Sequence, residues 1–149
     1  MGKKTKQLET FHEFLKSRDL KSTSQRDLIV LEIFSQPHHH FSAEELLETV
    51  REKDPSISRA TVYRTLSLLL EGNMLEELDI GKGHKYFEPM LGVAHHDHLI
   101  CLGCEKIVEF ESPEIETLQE EIIKTNDFQA IYHTHRIFGY CRQCQNEAK

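Results

Sequence analysis

Apolar residues recur at three- and four-residue spacing through the first half of the chain. FHEFL, DLIVLEIF and AEELLETV each show this pattern and predict helices. Ser24 and Ser42 are each followed within three positions by an acid, which fits N-capping. Asp54-Pro55 predicts a break after the third helix. A fourth helix is expected from Ser58, a good N-cap, to Glu71. Val62, Leu66, Leu69 and Leu70 form its apolar stripe, and Gly72-Asn73 stops it. Asn73 stands where glycine would be easier, so the turn there calls for a left-handed asparagine. Alternation then replaces the helical period. MLEELDI and HKYFE predict two short strands joined at Gly81-Lys82-Gly83. Helices followed by a small hairpin predict a winged helix-turn-helix.

The second half mixes periods. HDHLIC, KIVEF and FQAIYHTH predict strands, and PEIETLQEEIIKTN predicts a helix with Pro113 in its first turn. The fold class expected is therefore α+β. Residues 1–88 form a winged-helix DNA-binding domain, residues 89–94 a hinge, and residues 95–149 a small α+β metal-binding domain.

Composition narrows the function. The 149 residues suit one ordinary or two small domains, and 38% hydrophobic residues suffice for a modest core. MGKKTKQLET is basic but has no apolar stretch behind it, and no run approaches a membrane span. A cytoplasmic, soluble protein without a membrane partner is expected. The formal charge of −7 argues against nucleic acid at first sight. However, residues 1–31 hold seven Lys/Arg against four Asp/Glu, and residues 88–149 hold five against eleven. A basic front and an acidic, histidine-rich back suggest two jobs.

The four cysteines form two pairs, Cys101-x-x-Cys104 and Cys141-x-x-Cys144. A reducing cytosol disfavours disulfides, and four thiolates are what tetrahedral structural zinc takes. The 36 intervening residues would place that Zn(2+) between the start and end of one domain. A thiol redox pair is the alternative, but neither pair is expected to precede a helix. On the fourth helix, Ser58, Arg59, Thr61, Tyr63, Arg64 and Thr65 lie toward the N-terminus and away from the core stripe, as base-reading residues do. Tyr63 could meet thymine methyls and Arg64 a phosphate, with Lys21 and Arg26 adding further contacts. A domain of modest charge would bind double-stranded DNA as a dimer.

The run HHDHLICLGC, residues 95–104, holds six possible ligands. Alternate strand residues face opposite ways, so His95 and Asp97 form one pair and His96 and His98 another, apart from the cysteines. Glu88, Glu109, Glu116, His133, His135 and the run His38-His39-His40 are candidates to complete them. Mixed imidazole and carboxylate ligands suit Fe(2+), Mn(2+), Co(2+) or Zn(2+). A metal held by His40 together with second-domain ligands would couple occupancy to DNA-binding geometry. A hydrolytic metalloenzyme is the rival class, but no H-E-x-x-H motif and no evident site for a small-molecule substrate accompany the ligands.

TSQRDLIVLEIF, HFSAEELLETV, ISRATVYRTLSLL, HHDHLICLGCEKIVEF and HTHRIFGYCRQC together resemble the ferric uptake regulator (Fur) superfamily of metal-dependent repressors, over residues 8–145. The resemblance implies a winged-helix domain, a hinge and a dimerisation domain, in a homodimer that binds a palindromic operator when loaded with metal. It implies structural zinc on Cys101, Cys104, Cys141 and Cys144. It also implies a regulatory Fe(2+) or Mn(2+) site on His40, Glu88, His96, His98 and Glu109, and a further site on His95, Asp97, Glu116 and His133. Tyr63 takes the place of the base-reading tyrosine. Glu88 and Glu109, where peroxide-sensing relatives (PerR) usually carry aspartates, and the Arg of VYRTL favour iron-dependent regulation over peroxide sensing by Fe(2+)-catalysed histidine oxidation. A zinc- or manganese-sensing paralogue is the remaining branch. The resemblance gives no role to His38, His39 or His135.

Overall fold

The computed structural model describes residues 2–80 and 83–147, and side chains from Lys6 onward. The chain divides into two compact units, Met1–Ala94 and His95–Lys149. In the first, four helices precede a hairpin: α1 (Gly2–Ser17), α2 (Ser24–Ile33), α3 (Ala43–Lys53), α4 (Arg59–Glu71), β1 (Leu75–Asp79) and β2 (Lys85–Pro89). Their apolar stripes meet in one core that includes Phe11, Ile29, Val50, Val62, Leu66, Leu69 and Met74.

Local chemistry explains the element ends. Ser42 caps α3 in a complete capping box: its hydroxyl accepts from the Glu45 N–H, and Glu45 accepts from the Ser42 N–H at 2.8 Å. The cap of α2 is Thr23 rather than the expected Ser24, which lies one residue inside the helix. Ser58 caps α4 as expected. At the end of α4, Asn73 adopts φ 54°, and its N–H and that of Met74 return to the carbonyls of Leu70 and Leu69. This is a Schellman turn built on asparagine. Gly72 has an ordinary φ of −82° and is closely packed instead. A Cβ there would collide with Met74 Cε and press on Phe14 at 3.3 Å.

The hairpin pairs Leu75 with Pro89 through Asp79 with Lys85. Pro89, expected to open the hinge, thus closes β2. Gly81 and Lys82 of the expected turn lie outside the described residues. Phe41 adds one rung beside β2, exchanging two backbone hydrogen bonds with Phe87 at 3.0 and 2.8 Å. That rung fixes His40 next to the hairpin.

The second unit contains β3 (Asp97–Cys101), β4 (Ile107–Phe110), α5 (Pro113–Thr125), β5 (Arg136–Gly139) and α6 (Arg142–Glu147). The sheet order is β4-β3-β5, with β3 antiparallel to β4 and parallel to β5. The expected strand FQAIYHTH is displaced. Residues 128–135 have no assigned strand, and RIFG takes the edge of β3 instead. The physical reason is register: pairing Cys101 with Gly139 sets the second cysteine pair beside the first. Ile131 and Tyr132, whose alternation suggested a strand, are left more than four-fifths exposed. α5 has no buried residue, and its Leu118 and Ile122 face outward.

Candidate metal centres and nucleic-acid interface

The two cysteine pairs converge. Their four sulfurs lie within 4.8 Å of one another, and none of the four is in a disulfide. The Cys104 and Cys141 sulfurs are 3.8 Å apart, far beyond a disulfide bond. Backbone N–H groups of Cys141 and then Cys104 point at Cys101 Sγ and hold its pKa down to about 6. Burial and the surrounding sulfurs push Cys144 up to about 12. One sulfur already stabilised as thiolate, beside another that holds its proton, is a donor set completed by a thiophilic cation. Gly103 permits the close approach: a Cβ there would lie 2.7 Å from Cys144 Sγ. The expectation that neither pair precedes a helix fails at Cys141, which immediately precedes α6, with Cys144 inside it. Four converging sulfurs still favour a metal over a two-thiol redox pair.

The alternation expected of a strand is seen from His95 to His98, although β3 itself begins only at Asp97. His95 Nε2 lies 3.1 Å from Asp97 Oδ1 and 3.3 Å from Glu116 Oε1, and His133 Nε2 lies 3.3 Å from the same Glu116 oxygen. The ligand atoms of His95, Asp97, Glu116 and His133 all fall within 4.8 Å. Asp97 is 1% exposed, and a carboxyl buried that deeply needs polar partners, which the neighbouring imidazoles supply. On the opposite parity, His98 is paired directly across from Glu109 on β4. His96 Nε2 is 3.4 Å from Glu109 Oε1, and the His96 and His98 rings sit 4.9 Å apart.

In the first unit, His40 Nε2 meets Glu88 Oε2 at 2.8 Å, with Glu88 1% exposed. The neighbours of His40 are used differently: His39 stacks on Phe41, and His38 occupies a left-handed backbone position. His135 directs Nδ1 toward Asp97 Oδ2 at 3.8 Å but falls outside the four-ligand cluster.

The residues expected to meet DNA fall into two groups. Lys21, Arg26, Thr61 and Arg64 line one concave polar surface together with Gln25 and Ser56. Arg26 donates to the Lys21 carbonyl at 2.7 Å, which fixes the loop before α2. Asp54 on the same surface has its pKa lowered by hydrogen bonds from Ser56. The hydroxyl of Ser58 is committed to its cap, accepting from the Thr61 N–H at 3.1 Å. Arg59 and Tyr63 instead gather around Glu44 of α3. Glu44 and Gly103 escaped the sequence reading. Only a Gly inside a C-x-G-C run could have signalled the second.

Residues 17–138 match the ferric uptake regulator family. The chain is 36% identical over 138 residues to the ferric uptake regulation protein of Helicobacter pylori, covering 93% of this chain and 91% of that protein. It is 36% identical over 142 residues to that of Campylobacter jejuni, covering 94% and 89%. The structure of the H. pylori regulator, described as revealing three functional metal binding sites, superposes with a TM-score of 0.82 at 35% identity, covering 95% of this chain and 93% of that one. A winged helix-turn-helix unit joined to a unit rich in thiolate and imidazole–carboxylate ligands defines a metal-dependent transcriptional regulator. The chain belongs to the ferric uptake regulator family. Regulators of this family bind DNA and are not enzymes.

Proposed function

We propose that this chain is an iron-dependent repressor, cytoplasmic and homodimeric, that binds a palindromic operator when its regulatory site holds Fe(2+) or Mn(2+). The DNA-binding domain, expected to end at residue 88, takes in Pro89 at the end of β2, the rest of residues 89–94 is the hinge, and residues 95–149 form the metal-binding dimerisation domain. The regulatory ligands are His40, Glu88, His96, His98 and Glu109. Zn(2+) on Cys101, Cys104, Cys141 and Cys144 is structural, and His95, Asp97, Glu116 and His133 hold an additional metal. The observation that carries the reading is the alternation of residues 95–98, which run into β3 at Asp97. His96 and His98 lie beside Glu109, while His95 and Asp97 gather with Glu116, so two ligand sets diverge from one short segment.

The additional set fits a borderline divalent cation by its chemistry, two imidazoles and two carboxylates around a common point. When bound, each metal supplies positive charge that draws carboxylates and neutral imidazoles together. The chain's own part is to hold those groups on rigid elements. A regulatory cation bound by ligands from both domains would set the presentation of α4, which is a coupling free energy between metal and operator. The homodimer is supported by the apolar surface the second unit leaves open, with Leu118, Ile122, Phe128 and Ile131 exposed. DNA contact is assigned to Lys21, Arg26, Ser58, Arg59, Thr61, Tyr63 and Arg64. Among the described residues no helix is long and apolar enough to cross a membrane.

Fluorescence anisotropy with a labelled Fur-type palindrome tests this. Metal-stripped protein is compared with protein loaded anaerobically with Fe(2+), Mn(2+) or additional Zn(2+), before and after a brief peroxide pulse. Binding with Fe(2+) or Mn(2+) that survives the pulse is expected. Loss from the Fe(2+) form alone, not restored by fresh metal, would assign peroxide sensing instead. Equal binding by stripped and loaded protein would refute metal-dependent regulation.

A further inference from the structure

We propose that Glu44 is a specificity-determining residue of the DNA interface: an internal stand-in for phosphate that occupies Arg59 and Tyr63 until a matching operator displaces it. The inference rests on the proposed DNA-binding role of α4 and names a residue that role does not itself require.

Arg59 and Tyr63 are four residues apart on α4 and therefore share a face. Both reach the same oxygen. Arg59 Nη1 pairs with Glu44 Oε1, and the Tyr63 hydroxyl donates to that atom at 3.3 Å. Glu44 is the second residue of α3, but the cap of that helix is made by Glu45 with Ser42, which leaves the Glu44 carboxylate available. α4 has no acid in its own first turn, where a helix favours negative charge, and opens instead on the cation Arg59. A carboxylate from α3 fills that place. A guanidinium, a phenol hydroxyl and a helix N-terminal end are also what a backbone phosphate would meet.

All three side chains are exposed, so the cluster is weak and opens readily. Its effect is therefore selective. A loose encounter with arbitrary DNA is denied the Arg59 cation unless Glu44 is displaced and left beside phosphates. On the operator, many contacts form together and the displacement is offset.

The test uses the full-length, Mn(2+)-loaded protein on the operator and on a scrambled duplex, over a series of salt concentrations. Glu44→Gln keeps the shape and removes the charge. One more phosphate contact steepens the slope of log affinity against log salt by about 0.9. That increment is expected on the scrambled duplex, with a larger affinity gain there than on the operator and so a lower specificity ratio. Glu48→Gln removes an equal charge from an exposed position one turn further along α3 and should leave the slope unchanged. In an Arg59→Ala background the Glu44→Gln increment should vanish. Matching slopes for the Glu44 and Glu48 variants would overturn the proposal. So would an increment that survives without Arg59, or a loss of affinity on both duplexes. A wild-type protein that binds no operator with any metal would overturn the DNA-binding reading, and this one with it.

Discussion

Replacing Gly103 with alanine adds a single methyl group inside the cysteine cluster, and the structure fixes what that methyl meets. Its Cβ would lie 2.7 Å from Cys144 Sγ and 3.0 Å from Cys144 Cβ. The first distance is about 0.8 Å short of the ~3.5 Å at which heavy-atom contacts become favourable. Metal–ligand distances tolerate only about 0.2 Å. The sulfur cannot yield that far and remain a ligand at its present position, so the helix carrying it must move or the metal must loosen. Overpacking of this kind costs about 1–3 kcal/mol. If the whole cost falls on the metal-loaded state, zinc retention weakens about 5- to 140-fold, at 1.4 kcal/mol per decade. The assay is zinc competition against a chromophoric chelator, with metal content measured after dialysis. Gly139→Ala is the matched control, because a Cβ there meets nothing within 4 Å. Wild-type zinc affinity in the Gly103 variant, or equal losses in both variants, would refute the close-packed four-sulfur geometry.

Other outcomes follow from the same structure. His96→Ala and His98→Ala should weaken metal-triggered operator binding in anisotropy by more than the about 10–100-fold that an outer-shell partner costs, whereas Cys101→Ser should unfold the second unit or dissociate the dimer, seen by circular dichroism and sedimentation. Asn73→Ala forces alanine to φ 54° and should cost about 1–2 kcal/mol in urea unfolding, while Asn73→Gly should cost nothing comparable. Ser42→Ala removes one arm of the α3 capping box and should cost about 1 kcal/mol in the same assay. Zinc affinity should rise with pH. Cys101, held near 6, is already thiolate at neutrality, but Cys144, pushed up to about 12, must surrender a proton to bind. Titration in zinc buffers at pH 6 and pH 8 checks the sign, and tighter binding at pH 6 would contradict it.

Much of the fold was legible because it is local. The four helices follow from apolar spacing, and Ser42 and Ser58 cap where their side chains reach the next turn. Asn73 was readable as a left-handed stop because few residues tolerate that conformation. The ligand pairing was readable for the same reason. Parity is a property of one strand, and four residues of HHDH separate into two sets without knowledge of what they face.

What the sequence did not reveal depends on which edge each segment finds. FQAIYHTH alternates as a strand should, yet β3 takes RIFG as its neighbour, and the preceding residues have no assigned strand, with Phe128, Ile131 and Tyr132 exposed. The single rung between Phe41 and Phe87 carries no pattern at all, because one residue has no period. The short α6 lies below the length at which periodicity speaks.

The sequence by itself determined the ligand inventory, its division by parity, the helical front and the two thiol pairs, since each rests on spacing along one element. The tertiary structure alone decided that four sulfurs 40 residues apart in pairs meet beside Gly103, and that Arg59 and Tyr63 meet Glu44 of another helix. Those are contacts between elements, set by strand register and helix packing, and no periodicity within a single element encodes them.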